Sequence, residues 1–197
     1  MKKYILILAI LMVAISSQAF ANVVFNSLNG HFYEAIAGKY DWDVAKTEAE
    51  GKVYNGANGY LATLTSQAEN DWVWANVLAV AAPSWYWLGG FQSPNGPEPA
   101  GGWQWVTGEA WSFTSWNNGE PNNNGNNNPE EDALQFWDNS KWNDVSADSD
   151  NAVYGGTTYY RGYIVEYAPV PEPGTMMLLG TGLLGMIGYG KVKFGKK

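Results

Sequence analysis

The segments FTSWNNGEPN (residues 113–122) and KWND (residues 141–144) decide the fold predicted for this chain of 197 residues. The polar side chains near their ends carry carboxylate or amide groups, and an acidic run lies between the two segments. Carboxylate and amide oxygens are the ligands that Ca²⁺ prefers, and it takes about six to eight of them. The pattern therefore predicts an oxygen-lined cation site. The side chains concerned are Glu120, Asn122, Glu130, Glu131, Asp132, Asn143 and Asp144.

Nitrogen and sulfur ligands are scarce in this sequence. It has no cysteine, which excludes thiolate zinc sites, thiol catalysis and disulfide bonds. The single histidine, His31, lies in the first predicted strand, where a surface or hydrogen-bonded core position is expected. Zinc and copper favour His and Cys ligands, so both are poor candidates for the predicted site.

The part of the chain before these segments predicts two helices. Residues 41–50 carry apolar positions at helical spacing, and Gly51 suits the end of that helix. Ser66 and Glu69 form the pattern of a capping box at the start of the second helix, and Pro83 marks its end. The predicted apolar face of the second helix consists of Ala68, Trp72, Ala75 and Ala79.

The remaining elements are predicted to be strands joined by long loops. Two helices followed by an antiparallel, loop-rich half indicate an α+β domain. Without disulfides, the 11 Trp and 12 Tyr side chains must supply much of the buried core. Phe136 and Trp137 are neighbours on a strand and are expected to point to opposite faces. Strands are predicted at residues 23–33, 60–64, 85–89, 103–106, 133–137, 141–142 and 159–167. Trp103, Trp105, Trp111 and Trp116 are expected in the core.

Taken in order, these motifs resemble the C-type lectin family. Residues 113–122 and 141–144 look like its calcium loop and the strand after that loop, and Trp87-Leu88-Gly89 resembles its core strand. Residues 60–64 and the capped helix match its second-helix region. The resemblance implies a C-type lectin-like α+β fold with two helices, antiparallel strands and long calcium-binding loops, in a domain spanning residues 22–168.

The resemblance also implies a ligand set for one calcium ion. The extra Asn residues in the loop leave Glu130 as an alternative to Glu131, and Asp132 is a candidate for an auxiliary metal site. The peptide bond between Glu120 and Pro121 is expected to be cis. The implied metal and carbohydrate-binding residues are Glu120, Asn122, Glu131, Asn143 and Asp144.

In this family two vicinal sugar hydroxyls complete the calcium shell in place of water. Each hydroxyl donates a proton to a carboxylate, Glu120 or Glu131, and accepts a hydrogen bond from the amide of Asn122 or Asn143. The order Glu-Pro-Asn goes with mannose-type sugars. The implied function is therefore calcium-dependent carbohydrate binding, with an extracellular polysaccharide or surface glycan as the partner.

One departure from the family concerns its disulfides. The paired positions correspond here to Ala49 with Val165 and to Ala133 with Ala147. Two bridges, each typically worth about 2–4 kcal/mol, are therefore missing. Small apolar replacements predict that the same places are packed without the bond.

Both ends of the chain look like addressing segments. Residues 1–21 form a signal peptide pattern with a basic start, a short apolar run and an Ala-x-Ala site. Residues 169–197 resemble a PEP-CTERM sorting tail, with Pro-Glu-Pro, an apolar segment at residues 174–190 and a basic end. The tail implies cleavage by an exosortase, and a permanent single-span anchor is the alternative. Either way the domain is expected outside the cytoplasm, at the cell surface or in the extracellular matrix.

The charge of the chain and its missing motifs exclude other functions. Six of the 11 Lys and Arg residues lie in the two end segments, so the exported part is strongly acidic and is expected to repel nucleic acids. Carboxylates shared on calcium stay ionised, which opposes a glycosidase acid role, and no G-x-S-x-G motif is present. An enzyme is therefore not expected. The alternative function is a protein-binding or structural adhesion module in which calcium only stabilises loops.

Overall fold

The computed structural model of this protein describes residues 23–78, 85–94, 96–124, 130–154 and 157–170. The predicted signal peptide and the apolar segment at residues 174–190 lie outside these ranges. Within them, no helix is both long enough and apolar enough to span a bilayer.

The described residues form two helices and a mostly antiparallel sheet, as the sequence predicts. The helices are α1 (Trp42–Glu50) and α2 (Gln67–Asn76). The strands are β1 (Val24–Phe25), β2 (Phe32–Ile36), β3 (Val53–Tyr54), β4 (Ala57–Leu61), β5 (Trp85–Gln92), β6 (Trp103–Trp105), β7 (Ala133–Phe136), β8 (Trp142–Val145), β9 (Asn151–Tyr154) and β10 (Thr157–Tyr167). The short strands β3 and β9 are additions to the predicted set.

Helix α1 buries the face that its sequence predicts. Trp42, Ala45 and Ala49 are buried, and the chain leaves the helix at Gly51. The Trp42 indole Nε1 donates a hydrogen bond to the Leu88 carbonyl at 2.8 Å. The helix is thereby fixed against β5, since a buried indole N–H needs a partner.

Helix α2 begins where predicted but buries a different face. The Ser66 hydroxyl accepts a hydrogen bond from the Glu69 amide at 3.3 Å, which is one half of a capping box. The Glu69 carboxylate accepts from the Thr65 amide and not from that of Ser66. Of the predicted apolar face, Trp72 is partly buried and packs on Tyr33, but Ala68 and Ala75 are exposed, so that part of the prediction is wrong. Ala79 and the predicted end at Pro83 lie outside the described residues. The buried residues are Glu69, Asn70 and Val73.

The reason is tertiary hydrogen bonding. The Glu69 carboxylate accepts a hydrogen bond from the Tyr33 hydroxyl at 2.7 Å. The side-chain carbonyl of Asn70 accepts one from the Trp142 indole N–H at 2.7 Å. A buried polar side chain with matched partners loses little on burial, whereas an alanine gains little. Hydrophobic periodicity alone therefore chose the wrong face of α2.

The sheet follows the order β1-β2-β10-β5-β7-β8, with β4 and β9 pairing with β10 and with β6 pairing with β5. All of these pairs are antiparallel except β10 with β5, in which Tyr163 lies opposite Trp87. The long last strand therefore joins the N-terminal half of the domain to the strands near the long loops. The parallel pair is the one departure from the predicted antiparallel arrangement among the described strands.

Two hydrophobic clusters fill the domain. Trp103 and Trp105 are buried as expected, while Trp111 and Trp116 are partly buried and pack against the first cluster. Phe136 is fully buried, whereas Trp137 is partly exposed and packs on Trp85 at a ring distance of 6.0 Å. Phe136, the last residue of β7, and Trp137, which follows it, thus differ in burial, which fits the predicted opposite faces.

The positions of the absent disulfides lie in the second cluster. Ala49 and Val165 are both fully buried. A Cβ atom placed on Gly59 would lie 2.6 Å from the Ala49 carbonyl oxygen and 2.7 Å from Val165 Cγ1. Glycine is therefore required between them. Ala133 is buried in the same cluster, and Ala147 packs against it.

Candidate functional site

The loop before Glu120 runs alongside the start of β8. The Asn117 amide donates to the Trp142 carbonyl at 2.9 Å, and the Trp142 amide donates to the Ser115 carbonyl at 2.9 Å. These bonds bring the loop that carries Glu120 next to the strand that carries Asp144. The two motifs quoted from the sequence therefore converge in space.

Asp144 is the anchor of the loop. Its carboxylate is fully buried. It accepts hydrogen bonds from the backbone N–H of Asn122 at 2.9 Å and from the backbone N–H of Asn123 at 2.8 Å. The Glu120 carboxyl lies beside it. The peptide bond between Glu120 and Pro121 is cis, as predicted, and a second cis bond precedes Pro99.

Glu131 is tied to the same loop. Its carboxylate accepts a hydrogen bond from the backbone N–H of Asn124 at 2.8 Å. The backbone N–H of Glu131 donates to the side-chain carbonyl of Asn123 at 2.9 Å. The neighbouring Glu130 is exposed. Of the two alternatives left open by the sequence, Glu131 is the one that contacts the loop of Glu120.

Asn143 lies next to Asp144 on β8 and is partly buried. Its direct partner in the antiparallel register is Gln135, which lies on β7. Asn122 is exposed, and its side-chain carbonyl accepts from the Asn124 amide at 2.7 Å. Both amide side chains thus belong to the segments that converge here.

The electrostatics of these acids favour a bound cation. Burial first, and then the neighbouring Asp144 and Glu131 carboxylates, raise the pKa of Glu120 to about 7. Burial and the Asp144 charge also raise the pKa of Glu131. The Oε2 atom of Glu120 is buried and has no hydrogen-bond partner. We call Glu120, Glu131 and Asp144 the Glu120 cluster.

The donor set of this cluster fits calcium. All of its side-chain donors are oxygens, and like charges gathered in a partly buried place need a cation to offset them. Within the described ranges, no three His, Cys, Asp or Glu side chains are gathered tightly enough to hold a metal by themselves. Amide oxygens from Asn122 and Asn143 would therefore have to complete the set.

Asp132, the candidate for an auxiliary metal, has a structural contact. Its carboxylate accepts from the Ala147 amide at 3.3 Å, and burial raises its pKa. The nearby Gln92 is buried and donates to the Gly101 carbonyl at 2.7 Å, which holds the Pro- and Gly-rich loop. A metal role for Asp132 stays a prediction.

Sequence reasoning missed residues that shape the site. Asn123 and Asn124 offer backbone amides to Asp144 and Glu131, a use that side-chain chemistry does not reveal. Arg161 on β10 reaches Gln135 of β7 and donates from Nε to its side chain at 2.8 Å. Its signal in the sequence is that it is the only arginine of the chain.

Two helices and a mostly antiparallel sheet that presents long loops define the class of lectin-like α+β domains. Sequence comparison specifies the family. The profile of the Lectin C-type domain matches residues 44–153, and that of the PEP-CTERM protein-sorting motif matches residues 169–191. The chain belongs to the C-type lectin domain family and carries a PEP-CTERM sorting motif.

Curated relatives match over a part of their own length. Halomucin of Haloquadratum walsbyi is 32% identical over 152 residues, covering 71% of this chain and 1% of that protein. Hepatic lectin of Gallus gallus is 31% identical over 118 residues, covering 59% of this chain and 49% of that protein. The chain thus spans about half or less of the length of these relatives.

Solved structures show the same fold at low identity. The C-type lectin CEL-I from Cucumaria echinata has a TM-score of 0.55 at 22% identity, covering 70% of this chain and 90% of that one. Human lithostathine has a TM-score of 0.56 at 18% identity, covering 80% and 94%. These similarities confirm the predicted C-type lectin-like fold.

Proposed function

We propose that this chain binds carbohydrate in a calcium-dependent manner through the Glu120 cluster. The observation that carries the proposal is the buried Glu120 Oε2, which has no hydrogen-bond partner and lies among like charges. A carboxylate oxygen in that position is expensive to keep ionised unless a cation is bound. The oxygen-only donor set favours calcium.

The proposed roles of the side chains follow from their chemistry. Bound calcium would attract the hydroxyl oxygens of a sugar. Glu120 and Glu131 accept the hydroxyl protons, and the amide groups of Asn122 and Asn143 donate to the hydroxyl oxygens. The exposed position of Asn122 keeps its amide accessible to a ligand. The proposed ligand set for the ion is Glu120, Asn122, Glu131, Asn143 and Asp144.

Mannose-type sugars are the proposed ligand class, because the order Glu120-Pro121-Asn122 places an amide donor after the proline. An acid at that position would accept and not donate. The proposed partner is an extracellular polysaccharide or a surface glycan. The similarity of this chain to hepatic lectin, which is named as a lectin, supports a sugar ligand.

The proposed location is the cell surface or the extracellular matrix. The PEP-CTERM match at residues 169–191 supports export followed by processing with an exosortase-type protease. Before processing, the apolar segment at residues 174–190 would hold the chain at the membrane. The domain at residues 22–168 then carries the binding function without catalysis.

A glycan array with and without calcium tests the proposal. We expect retention on mannose-type glycans with calcium and loss of retention with a chelator. Asn122→Asp should abolish retention, because it removes the donating amide and adds a fourth carboxylate. Asn118→Asp is the matched control, since Asn118 is an exposed amide of the same loop. Equal retention by wild type and Asn122→Asp would contradict the proposed roles.

The alternative is a protein-binding or structural adhesion module. That function gains support if calcium raises the thermal stability but no glycan is retained at any calcium concentration. Release of reducing sugar from a polysaccharide by the purified protein would contradict a binding-only role. The three results are distinct, so one preparation of the protein discriminates among them.

A further inference from the structure

Arg161 is a buried guanidinium near the Glu120 cluster. The side chain is 3% exposed. Its Nε donates to Gln135 Oε1 at 2.8 Å, and its Nη1 donates to the Ser149 carbonyl at 3.0 Å and hydroxyl at 2.8 Å. The guanidinium carbon lies 5.5 Å from the Trp85 ring centroid and 5.3 Å from that of Trp87. The group is therefore held in one place.

The charge of Arg161 has no close counterion. In the described part of the chain its neighbours are neutral oxygens and aromatic faces, and it forms no ion pair within 4.0 Å. Burial lowers its pKa to about 10, so it remains charged near neutral pH. A buried charge without a close partner is unfavourable unless charges farther away offset it.

Those charges include a member of the Glu120 cluster. Arg161 attracts Asp150 first and Glu131 second. Gln135, which holds the guanidinium, lies directly opposite Asn143 in the register of β7 and β8, and directly opposed side chains share one face of a sheet. The positive charge is thus held on the face of the sheet that carries Asn143, one of the proposed calcium ligands.

We propose that Arg161 is a built-in countercharge of the Glu120 cluster, which stabilises the calcium-free protein and weakens its affinity for calcium. The inference rests on the proposed calcium function. Without the ion, Arg161 offsets part of the repulsion among the three carboxylates. With the ion bound, the same fixed charge repels it. A group that stabilises the free state more than the bound state lowers affinity by linkage.

The test is calcium binding by Arg161→Gln, measured by isothermal titration calorimetry. The amide keeps a hydrogen-bond donor but removes the charge. We expect calcium to bind about three- to tenfold more tightly, as loss of one unit of repulsion at several ångströms implies. We also expect a lower melting temperature without calcium and a larger rise on adding it. A purely structural role would lower both melting temperatures equally and leave affinity unchanged.

Two controls separate charge from packing. Arg161→Lys keeps the charge but loses the planar fork, and its calcium affinity should stay within about twofold of wild type. Lys46→Gln removes an exposed positive charge on α1 and should also leave affinity within about twofold, because surface charges are screened. A tighter site in Lys46→Gln would mean that net charge alone sets affinity, which overturns the assignment to Arg161.

A second variant covers failure of Arg161→Gln to fold. Arg161→Met removes the charge and keeps a long apolar side chain against the Trp85 and Trp87 rings. We expect it to tighten calcium binding by about three- to tenfold. Unchanged or weaker binding in the folded variants overturns the inference. Failure of wild type to bind calcium at millimolar concentration overturns the proposed function itself.

Discussion

Two groups of buried acids in this domain differ in how their oxygens are satisfied. One is the Glu120 cluster, in which Glu120 Oε2 has no partner. The other consists of Glu69 and Glu166, which we call the Glu69–Glu166 pair. Glu69 accepts from Asn29, Tyr33 and Thr65, and both oxygens of Glu166 accept hydrogen bonds as well. The first group is the proposed ligand site, whereas the second group holds parts of the fold together.

A cleft of about 470 Å³ opens beside the Glu69–Glu166 pair. The acids of this cleft already have protein partners, and they tie the segment before β2 to β10 and α2. Glu120 Oε2, in contrast, is buried without a partner, and such an atom calls for an explanation that a bound ion would supply.

The largest expected effect concerns the Glu69–Glu166 pair and the stability of the fold. Glu166→Ala should lower the free energy of unfolding by about 3 to 5 kcal/mol, because it leaves the Thr63 amide and His31 without their buried acceptor. Urea unfolding measures the change. Glu130→Ala is the control, since Glu130 is exposed. A loss below about 1 kcal/mol for Glu166→Ala would show that the pair is dispensable to the fold.

Calcium should act on the other group. At a calcium concentration 100 times the dissociation constant, the free energy of unfolding should rise by about 2.7 kcal/mol. Calorimetry with calcium and with a chelator measures the difference. In Glu166→Ala the increment should persist, whereas in Glu120→Gln most of it should vanish. Equal increments in wild type and Glu120→Gln would contradict a role for Glu120 in holding the ion.

Without calcium, Glu120→Gln should be more stable than wild type by about 1 kcal/mol. The amide replaces a carboxylate whose pKa is raised to about 7, by burial first and then by the Asp144 and Glu131 carboxylates, so it removes both the cost of burying a charge and the repulsion. Urea unfolding at pH 8 in the presence of a chelator measures whether the free energy of unfolding of Glu120→Gln is higher or lower than that of wild type. Glu69→Gln is the matched variant in the satisfied pair and should lose stability. A loss in both variants would erase the distinction between the two groups.

The smallest expected effect is a dependence of stability on pH through His31. Its hydrogen bond to Glu166 raises the pKa of His31 above 6.5. The folded state therefore holds this proton more tightly than the unfolded chain. The resulting stability is complete below pH 6.5 and is lost as the pH rises through the folded value.

We expect the contribution of His31 to stay below about 1 kcal/mol, since the side chain is partly exposed. Urea midpoints at pH 6 and pH 8 in chelator measure it, and His31→Gln should flatten the difference. The acids that face His31 are Glu166, Glu69 and Glu109. If the stability of His31→Gln falls more steeply from pH 6 to pH 8 than that of wild type, the pH dependence comes from those acids and not from His31.

Much of the fold could be predicted because its signals are local. The Ser66 cap, the apolar face of α1 and the strand segments all follow from neighbouring residues. The face of α2 could not, because Glu69 and Asn70 are buried by partners distant in the sequence. A helix that buries polar side chains breaks the apolar periodicity on which the prediction depends.

The candidate site was predictable in its residue types but not in its electrostatics. The motif around Glu120 and the motif ending in Asp144 indicated oxygen chemistry. The loop conformation that offers backbone amides to Asp144 depends on residues with a positive φ, such as Asn123 at 46°. The hydrogen bond of Arg161 to Gln135 of β7 depends on the parallel pairing of β10 with β5. No local pattern in the sequence predicts that pairing.

The packing around Gly59 has a consequence for how the domain reaches its folded state. Ala49 and Val165 both pack around Gly59 without a covalent link, so no thiol has to be oxidised and no mispaired bridge has to be reshuffled. The domain should therefore mature equally well in reducing and oxidising compartments. Production in an ordinary bacterial cytoplasm, without foldases that handle thiols, should yield the native protein.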